Sequence, residues 1–374
     1  MPAILHIFGR MQRGGAELRT LEIMRALEAH EFRLDFCVLS GLPGDLDGDI
    51  RAMGGEVHYL RLGPRFPLQF CALLRKKRYD AVHAHVHYAS GALLRLAAAC
   101  GVPVRIAHFR SSSDGRGSGV SRRVQRWVLR RWIDRYATSI PAVSESAMVA
   151  AWGRNWRCDP RCRVIYNGLD PVRFEGSPDR AGVCSEFGLP AECTLYIHVG
   201  RFDTPKNHDR LVEVFAAIAA HDPGARLLLA GRGGNTIEAA VRRRVDELKL
   251  AGRIVFAGER HDIPRLLKAA DTMIFPSLWE GLPGAVLEAC AAGTPVLASA
   301  IPVICEIEAF LPALTALDLG ASNVAWANTA ATLARKGRDQ AIREQRMRQF
   351  AASIFTLDRC IDAHREIWSG VRPC

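Results

Sequence analysis

The sequence predicts an α/β protein built from two doubly wound, parallel-sheet domains. Short apolar runs bounded by Gly or Pro alternate with longer helical patterns along most of the 374 residues, which is typical of βαβ units. The length exceeds what one hydrophobic core usually holds. The alternation restarts near residue 194, after a stretch at 175–192 that is rich in Gly, Pro and charge, as interdomain joints often are.

Eleven apolar runs are the predicted strands. In the first half they lie at 3–8, 33–39, 56–60, 81–85, 104–109 and 139–144, and in the second half at 194–200, 226–231, 253–258, 272–277 and 294–299. The first helix is expected at 16–29, and from about residue 324 the pattern is helical without another strand. We therefore expect domains at 1–178 and 190–350, followed by a helical segment at 351–374.

The composition excludes disorder for most of the chain, because 49% of the residues are hydrophobic and 24% are charged. The net charge is +11, and residues 1–170 carry this whole excess, with 26 Lys and Arg against 15 Asp and Glu.

The eleven Cys lie mostly in apolar runs without zinc-site spacing, which favours buried thiols in a reducing compartment. Neither a signal peptide nor a membrane-spanning helix is expected.

In doubly wound sheets, ligands bind beyond the carboxyl ends of the strands. After the first strand, Gly14 and Gly15 open a helix, whose N–H groups suit an anion, although the pair alone predicts only a turn. After the fourth strand, His83, His85 and His87 alternate and would share one face, an arrangement that could bind a metal. No carboxylate ligand is apparent nearby, so we expect His85 to face the cleft and the other two to be structural.

The fifth predicted strand ends in His108 and Arg110, which share a face. Arg110 could pair with a phosphate, and a solvated loop is the equally weighted alternative. Further along, Asn167–Gly168 predicts only a turn.

The first strand of the second half leads into a cationic loop. Gly200 allows close backbone approach, and Arg201 and Lys206 precede a helix, which together suit a diphosphate. Gly231 and Arg232 follow the next strand, where glycines suit a nucleoside lying against the backbone.

The segment FPSLWEGLPGAVLEACAAGTPV is the most specific. Glu280 ends a loop, Gly281 to Gly284 lead into a helix, and Glu288 lies among apolar residues inside that helix. Ribose hydroxyls could supply the hydrogen bonds that a carboxylate needs there, and backbone groups could do so instead.

Taken together, these segments resemble the retaining GT-B glycosyltransferases of family 4, the "glycosyl transferases group 1" type. The resemblance covers nearly the whole chain in order. Its landmarks are GGAE, VHAH, AVSES, VIYNGLD, HVGRF with KN, LLLAGRG, FAG, and PS..EG.P....EA.A.GTPV with Glu280 and Glu288 as the family's paired glutamates.

The resemblance implies two Rossmann-like domains facing a central cleft, with a nucleotide-sugar on the second domain and the acceptor mostly on the first. It also implies that the C-terminal helix packs back on the first domain. The site residues carried over are Gly15, Arg201 and Lys206 for the donor diphosphate; His85, Glu280, Gly281, Leu282, Pro283 and Gly284 for the donor sugar; Gly231, Arg232 and Glu288 for the nucleoside; and Glu280 with His108 or Arg110 in catalysis.

Two departures from the family pattern stand out. His108 and Arg110 compete for the place of a histidine that reaches the donor sugar, and that choice stays open. The stretch SAIPVICEIEAF lacks the Gly-Gly that usually precedes an acidic residue, so its part in closing the donor pocket is in doubt.

The expected reaction is sugar transfer with retention of anomeric configuration and without a divalent metal or other cofactor. Breaking the sugar–phosphate bond leaves negative charge on the diphosphate, which Arg201, Lys206 and helix N-termini would stabilise. A nucleotide-sugar epimerase of the same fold is the alternative, and a nucleic-acid-binding protein is disfavoured because RNP-like strands, zinc spacing and a helix-turn-helix signal are missing from the sequence.

The basic segment SRRVQRWVLRRWIDRYA predicts an interfacial helix. Arg122, Arg123, Arg126 and Arg130 lie on one side, and Val124, Val128 and Trp132 lie on another with Trp127 adjacent. Docking on anionic lipid is slightly favoured over a surface helix packed on the first sheet. We therefore expect a cytoplasmic protein that is peripheral on the inner face of the cytoplasmic membrane and meets a glycan or lipid-linked acceptor.

Overall fold

The computed structural model describes residues 1–27, 31–111 and 119–370. The chain divides into two compact units: unit 1 is Met1–Gly168 with Leu357–Cys374, and unit 2 is Leu169–Thr356. The sequence-based boundaries at 178, 190 and 350 lie six to twenty-odd residues from these divisions. Where the chain passes between the units, Leu169 and Thr356 form a parallel bridge within unit 2.

The strands of the described residues run in chain order from β1 to β13. They are β1 (Ala3–Phe8), β2 (Arg33–Val38), β3 (Val57–Tyr59), β4 (Ala81–Ala84), β5 (Val104–Ala107), β6 (Ile140–Ala142), β7 (Cys162–Val164), β8 (Thr194–Val199), β9 (Ala225–Ala230), β10 (Ile254–Gly258), β11 (Thr272–Phe275), β12 (Val296–Ser299) and β13 (Leu314–Leu317). All eleven predicted strands are present. The sequence prediction missed β7 and β13.

The helices follow the same chain order. They are α1 (Gly15–Ala26), α2 (Asp47–Ala52), α3 (Phe66–Lys77), α4 (Ser90–Ala99), α5 (Val120–Tyr136), α6 (Glu145–Trp152), α7 (Arg180–Glu186), α8 (His208–His221), α9 (Thr236–Glu247), α10 (Ile263–Ala269), α11 (Gly284–Ala291), α12 (Pro302–Glu308), α13 (Asn323–Gly337), α14 (Gln340–Ala351) and α15 (Leu357–Trp368).

Unit 1 is a five-stranded parallel sheet in the order β3-β2-β1-β4-β5, with the small parallel pair β6-β7 beside it. The strands are apolar on both faces; β1, for example, is buried along its whole length. Such runs are expected for parallel strands that helices cover on both sides. The register aligns His6 of β1 with His83 of β4, which brings two imidazoles into the middle of the sheet.

The C-terminal helix α15 is part of the core of unit 1. Cys360, Ile361, Ile367 and Trp368 pack with apolar residues of β1, β2 and α1. At the surface, Arg365 forms an ion pair with Glu31 at 2.5 Å. The helix therefore closes one side of the unit 1 sheet.

Unit 2 repeats the plan with six parallel strands in the order β10-β9-β8-β11-β12-β13. Its core is filled by α8, α9 and α13, with Trp326 fully buried. In both units the strand order reverses beside the first strand of the unit, between β1 and β4 and between β8 and β11. Those two points are the switch points where ligands of doubly wound sheets bind, and the predicted α/β class is confirmed.

The basic helix α5 packs on α4, where the Leu129 carbonyl stands so close to Gly91 that a Cβ there would lie 2.2 Å from it. Its far side exposes Val120, Val124 and Trp127 by 67%, 58% and 65%. The helix therefore presents an apolar stripe to solvent, whereas Val128 and Trp132, which the sequence places on the same side as Val124, are partly buried.

No helix among residues 1–27, 31–111 and 119–370 is both long and apolar enough to cross a membrane.

Candidate functional site

The switch point of unit 2 is held by an ion pair. Lys206 ends the short turn after β8, and Glu280 lies in the loop after β11. The Lys206 Nζ donates to Glu280 Oε1 at 2.6 Å, and the two side chains are only 15% and 13% exposed. The same ammonium lies 4.7 Å from the centre of the Phe275 ring. The structure thus brings together two residues that the sequence predicted separately.

Backbone contacts join the same two loops. The Leu278 N–H donates to the Pro205 carbonyl at 2.8 Å, and the Asn207 side-chain amide donates to the Pro276 carbonyl at 3.1 Å. Asn207 adopts a left-handed conformation with φ 52°, which asparagine tolerates better than most residues. The Lys206–Glu280 pair therefore rests on a fixed frame at the carboxyl ends of β8 and β11.

Arg201 lies near the same strand end but points to solvent. Its side chain is 64% exposed, and its Nη2 lies 3.1 Å from Asp203 Oδ2. An exposed guanidinium paired with one surface carboxylate can exchange that carboxylate for another anion at little cost.

The helix α11 begins where the sequence predicted. Pro283 is its N-cap, and Gly284 is the first helical position. The space that a Cβ of Gly284 would occupy is open, so a ligand can approach the first N–H groups, which lack intrahelical acceptors. Glu288 is half-buried in the second turn of this helix, one turn beyond those N–H groups.

Gly231 has a structural reason to be glycine. A Cβ there would lie 1.9 Å from the Gly200 carbonyl oxygen, so its absence lets the ends of β8 and β9 meet. Arg232, next to it, is half-exposed, with its Nε 3.6 Å from Glu259 Oε2. The close backbone approach at Gly231 is to another strand of the same unit, and the nucleoside role predicted for the two residues stays a prediction.

The segment that lacks the family's glycines forms α12, which begins at Pro302, with two residues between it and the end of β12. The Ser299 hydroxyl at the end of β12 donates to the Ser277 carbonyl at 2.5 Å. Because a helix follows so directly, the backbone here is fixed by helical hydrogen bonds.

In unit 1, the glycines after β1 differ from each other. Gly14 is the N-cap of α1, and Glu17 of the first turn fills the space beside it. Gly15 opens the helix, and nothing lies within 4 Å of where its Cβ would stand. The start of α1 at Gly15 is thus open to a ligand.

Arg110 is tied to three parts of unit 1. Its Nε donates to His85 Nδ1 at 3.2 Å, its Nη1 donates to Asn167 Oδ1 at 2.7 Å, and its Nη2 reaches Thr20 Oγ1 at 3.5 Å. Burial lowers the pKa of Arg110 to about 10, so the guanidinium keeps its charge at pH 7. The role of Asn167 as an acceptor was missed, because its sequence signal was only that of a turn.

His85 is only partly buried, and it does not lie on a strand as predicted. It follows the end of β4, and His87 lies in a short 3₁₀ turn with φ 52°, so the expected alternation of His83, His85 and His87 along one strand face is wrong. The ring of His85 stacks on Phe8 with centroids 4.3 Å apart, and its Nε2 lies 3.0 Å from His6 Nδ1.

His108 lies in a second group of rings. Its Nδ1 is 3.0 Å from His83 Nε2, and Trp368 of α15 donates from Nε1 to His83 Nδ1 at 3.1 Å. His364, also on α15, has its Nδ1 2.7 Å from the Cys360 carbonyl. The sequence prediction missed His6, His364 and Trp368.

These imidazoles are neutral at pH 7. Burial, with the nearby charge of Arg110, lowers the pKa of His6, His85 and His108 well below the ordinary value. Burial and the neighbouring imidazoles do the same to His83, and burial lowers the pKa of His364 to about 3. Five neutral rings therefore form what we call the histidine cluster of unit 1: His6, His83, His85, His108 and His364.

Two groups of three within the cluster have the nitrogen spacing of a metal site. They are His6, His83 and His85, and His83, His108 and His364, with one nitrogen from each ring within 4.8 Å of the others. Both nitrogens of His83 and of His85 already take part in hydrogen bonds. A metal would have to displace those N–H partners. The prediction that this protein uses no metal stays a prediction.

On α5, the four predicted arginines differ in exposure. Arg123 and Arg130 are exposed, whereas Arg122 and Arg126 are partly buried. Arg130 lies over the Trp152 ring at 4.9 Å and donates to the Trp152 carbonyl at 2.6 Å. Arg131 lies 6.0 Å from the centre of the exposed Trp127 ring.

Known families match both units. Residues 14–168 match the family described as "Glycosyl transferase 4-like domain", and residues 185–309 match "Glycosyl transferases group 1". EpsF of Bacillus subtilis (strain 168) is 30% identical over 90% of this chain and 88% of its own. CapH of Staphylococcus aureus, named as a capsular polysaccharide biosynthesis glycosyltransferase, is 31% identical over 88% and 90%.

Among solved structures, Anabaena Alr3699/HepE in complex with UDP is similar, with a TM-score of 0.83 over 99% of this chain and all of that chain, at 20% identity. WaaG, described as a glycosyltransferase involved in lipopolysaccharide biosynthesis, has a TM-score of 0.75 over 99% of this chain and all of its own, at 16% identity.

Proposed function

The chain belongs to the glycosyl transferases group 1 family and has its GT-B type of fold, and we propose that it transfers a sugar from a nucleotide-sugar donor to a glycan or lipid-linked acceptor. The observation that carries the proposal is the Lys206–Glu280 pair at the switch point of unit 2, beside the open start of α11. The Lys206 ammonium suits the phosphate groups of a sugar diphosphate, and the Glu280 carboxylate suits the hydroxyl groups of its sugar.

The donor diphosphate binds to Lys206 and Arg201 in this proposal. Phosphate oxygens replace Glu280 as the partner of the Lys206 ammonium, which frees the Glu280 carboxylate to accept hydrogen bonds from sugar hydroxyls. The N–H groups of Gly281 to Gly284 contact the sugar as well, with Leu282 and Pro283 shaping that stretch. Glu288 accepts from the ribose, and Gly231 and Arg232 lie by the base.

In this proposal, unit 1 also contributes groups that contact the donor. Gly15 offers an open helix start, which suits an anionic group. Arg110 is already bonded to His85, Asn167 and Thr20, whereas the buried Nε2 of His108 has no partner among the residues that the structure describes. This difference favours His108 over Arg110 as the group that reaches the donor sugar, with His85 supporting Arg110.

The reaction in this proposal proceeds with retention of anomeric configuration and without a metal or other cofactor. As the sugar–phosphate bond breaks, negative charge grows on the leaving diphosphate, and Lys206, Arg201 and helix N-termini stabilise it. The leaving phosphate assists attack of the acceptor on the same face of the sugar, since the family has no agreed protein nucleophile.

A thermal-shift panel tests donor binding. Nucleoside diphosphates and their sugar conjugates are compared on the wild type and on Lys206→Ala, and one base should raise the melting temperature of the wild type far more than that of the variant. Equal shifts for every nucleotide, or for both proteins, would contradict the assignment of unit 2.

Product analysis tests the chemistry. With the preferred donor, the first-formed product should keep the donor's anomeric configuration in NMR spectra, and EDTA should leave the rate unchanged. An inverted product would refute retention, and recovery of an EDTA-treated enzyme only upon addition of Mg²⁺ or Mn²⁺ would refute metal independence.

Docking on the inner face of the cytoplasmic membrane through α5 completes the proposal. The exposed stripe of Val120, Val124 and Trp127, beside Arg123 and Arg131, joins apolar and cationic groups as interfacial helices do; Arg122, Arg126 and Arg130 add charge nearby. Sedimentation should show binding to anionic vesicles and little binding to neutral ones. Equal binding to both, or tight RNA binding, would oppose an electrostatic role at the membrane.

A further inference from the structure

The histidine cluster of unit 1 contains a hydrogen-bonded chain with a defined direction. The chain runs from Trp368 Nε1 to His83 Nδ1 over 3.1 Å and from His83 Nε2 to His108 Nδ1 over 3.0 Å. Trp368, His83 and His108 are 2%, 0% and 1% exposed, so water does not compete for these bonds.

The direction follows from the chemistry of the first member. An indole N–H only donates, so His83 must accept at Nδ1 and, being neutral, carries its proton on Nε2. That N–H donates to His108, which therefore accepts at Nδ1 and carries its own proton on Nε2. His108 Nε2 is buried and has no partner in the described part of the chain.

The cluster stays neutral because of burial and because Arg110 is close. Both effects lower the pKa of His108 well below its ordinary value. A buried N–H without a partner is costly, and a ligand atom that accepts a hydrogen bond would remove that cost.

The direction of a second series of hydrogen bonds in the same cluster follows from the same argument, because its first member can only donate. Arg110 Nε can only donate, so His85 accepts at Nδ1 and donates from Nε2 to His6 Nδ1. His364 donates from Nδ1 to the Cys360 carbonyl and so keeps a lone pair on Nε2. Each ring has one tautomer that satisfies all of these contacts. The other tautomer of any ring would break at least one of them.

We propose that Trp368 of the C-terminal helix is a positioning residue that, through His83, fixes His108 as a hydrogen-bond donor at Nε2. His108 then binds an acceptor atom, such as a hydroxyl or phosphate oxygen of the ligand, and does not act as a base at that atom. The identity of the ligand as a nucleotide-sugar rests on the proposed function, whereas the direction of the chain does not.

Imidazole NMR tests the chain directly. In protein labelled with ¹⁵N-histidine, long-range ¹H–¹⁵N spectra report which nitrogen of each ring carries the proton. The wild type should show His83 and His108 protonated on Nε2. A His108 ring protonated on Nδ1 would overturn the proposal, and this measurement needs no variant.

Trp368→Phe removes the N–H while keeping an aromatic ring in the core. The His83 and His108 signals should shift toward a mixture of tautomers, and kcat/KM should fall about three- to tenfold, as expected for one hydrogen bond. The matched control is Trp326→Phe in unit 2, whose indole donates to the Asp318 carbonyl at 3.0 Å; it should leave both histidines unchanged.

The outcomes separate this proposal from the proposed function. Unchanged tautomers in Trp368→Phe, or stoichiometric Zn²⁺ binding by the wild type with loss of the Nε2 protons, would overturn the chain. Absence of any sugar transfer by the wild type would overturn the proposed function alone, because the NMR result does not depend on turnover.

Discussion

The two switch points of this molecule hold polar groups of different kinds. In unit 2, Lys206 and Glu280 form a partly accessible pair of opposite charges. In unit 1, neutral imidazoles lie close to the guanidinium of Arg110, and burial is the first cause of the pKa shift of each histidine in the cluster. The same strand order thus places a pair of opposite charges at one switch point and a group of neutral, hydrogen-bonded imidazoles at the other.

The largest effect is expected from acid, which should destabilise the fold through the histidine cluster of unit 1. Below the ordinary histidine pKa of about 6.5 the unfolded chain binds more protons than the folded one, because folding lowers the pKa values of the cluster. Stability therefore falls as the pH drops below about 6.5, and the slope approaches about 1.4 kcal/mol per pH unit for each such histidine once the pH is well below that value. Unit 2 has fewer such groups, His198 and His208.

Melting temperatures at pH 7, 6 and 5 would show the effect. His364→Gln should flatten the pH dependence, since it removes one cluster member, and His221→Gln on the exposed end of α8 should not. Parallel curves for wild type and His364→Gln would contradict the neutral cluster.

Loss of one charge in unit 2 should have the next largest effect. Lys206→Ala should lower turnover at least ~100-fold if a lost diphosphate contact resembles a lost oxyanion donor, and the same is expected for Arg201→Ala. Steady-state kinetics with the preferred donor measure it, and Lys336→Ala, an exposed lysine on α13, is the control. Near-normal turnover of both site variants would refute the charge-based half of the comparison.

Substitution of two glycines should distinguish a packing role in unit 2 from a binding role in unit 1. Gly231→Ala should destabilise the protein by about 1–3 kcal/mol, as overpacking does, because the new Cβ meets the Gly200 carbonyl. Gly15→Ala has open space around it and should leave the melting temperature unchanged while raising the donor KM. A destabilised Gly15→Ala with normal KM would reverse the two assignments.

The smallest effect is expected on α5. Arg123→Gln should weaken binding to anionic vesicles about fivefold, since one basic residue near such a surface contributes about 1 kcal/mol. Vesicle sedimentation measures it, and Arg243→Gln on α9 of unit 2 is the control. If both variants bind alike, the membrane contact of unit 1 lies elsewhere.

Most of the fold could be predicted from the sequence, because parallel strands are apolar on both faces and are bounded by Gly and Pro. The short strands β7 and β13 were missed, since three or four residues that include Arg163 or Thr315 carry no clear period. The pairing of Lys206 with Glu280 was not predicted, although both residues were, because it depends on which strands are neighbours.

The histidine cluster could have been predicted only in part. A β1-β4 neighbourhood aligns His6 with His83, and the spacing of Cys360, Ile361, His364 and Ile367 marks a buried face of α15. The three hydrogen bonds of Arg110 could not be predicted from the sequence, because they depend on the direction of its side chain. Sequence patterns indicate which residues share a face, whereas the direction of a hydrogen bond depends on how the side chains are oriented.

The assignment of α15 to unit 1 has a consequence for synthesis on the ribosome. Unit 2 is one continuous stretch, so it can fold as soon as Thr356 has emerged. Unit 1 needs both ends of the chain, and until α15 arrives the nascent unit exposes the apolar surface that Ile361 and Trp368 later cover. The first half to be made is therefore the last to be completed, and it is the half most exposed to aggregation or to chaperones while the second is translated.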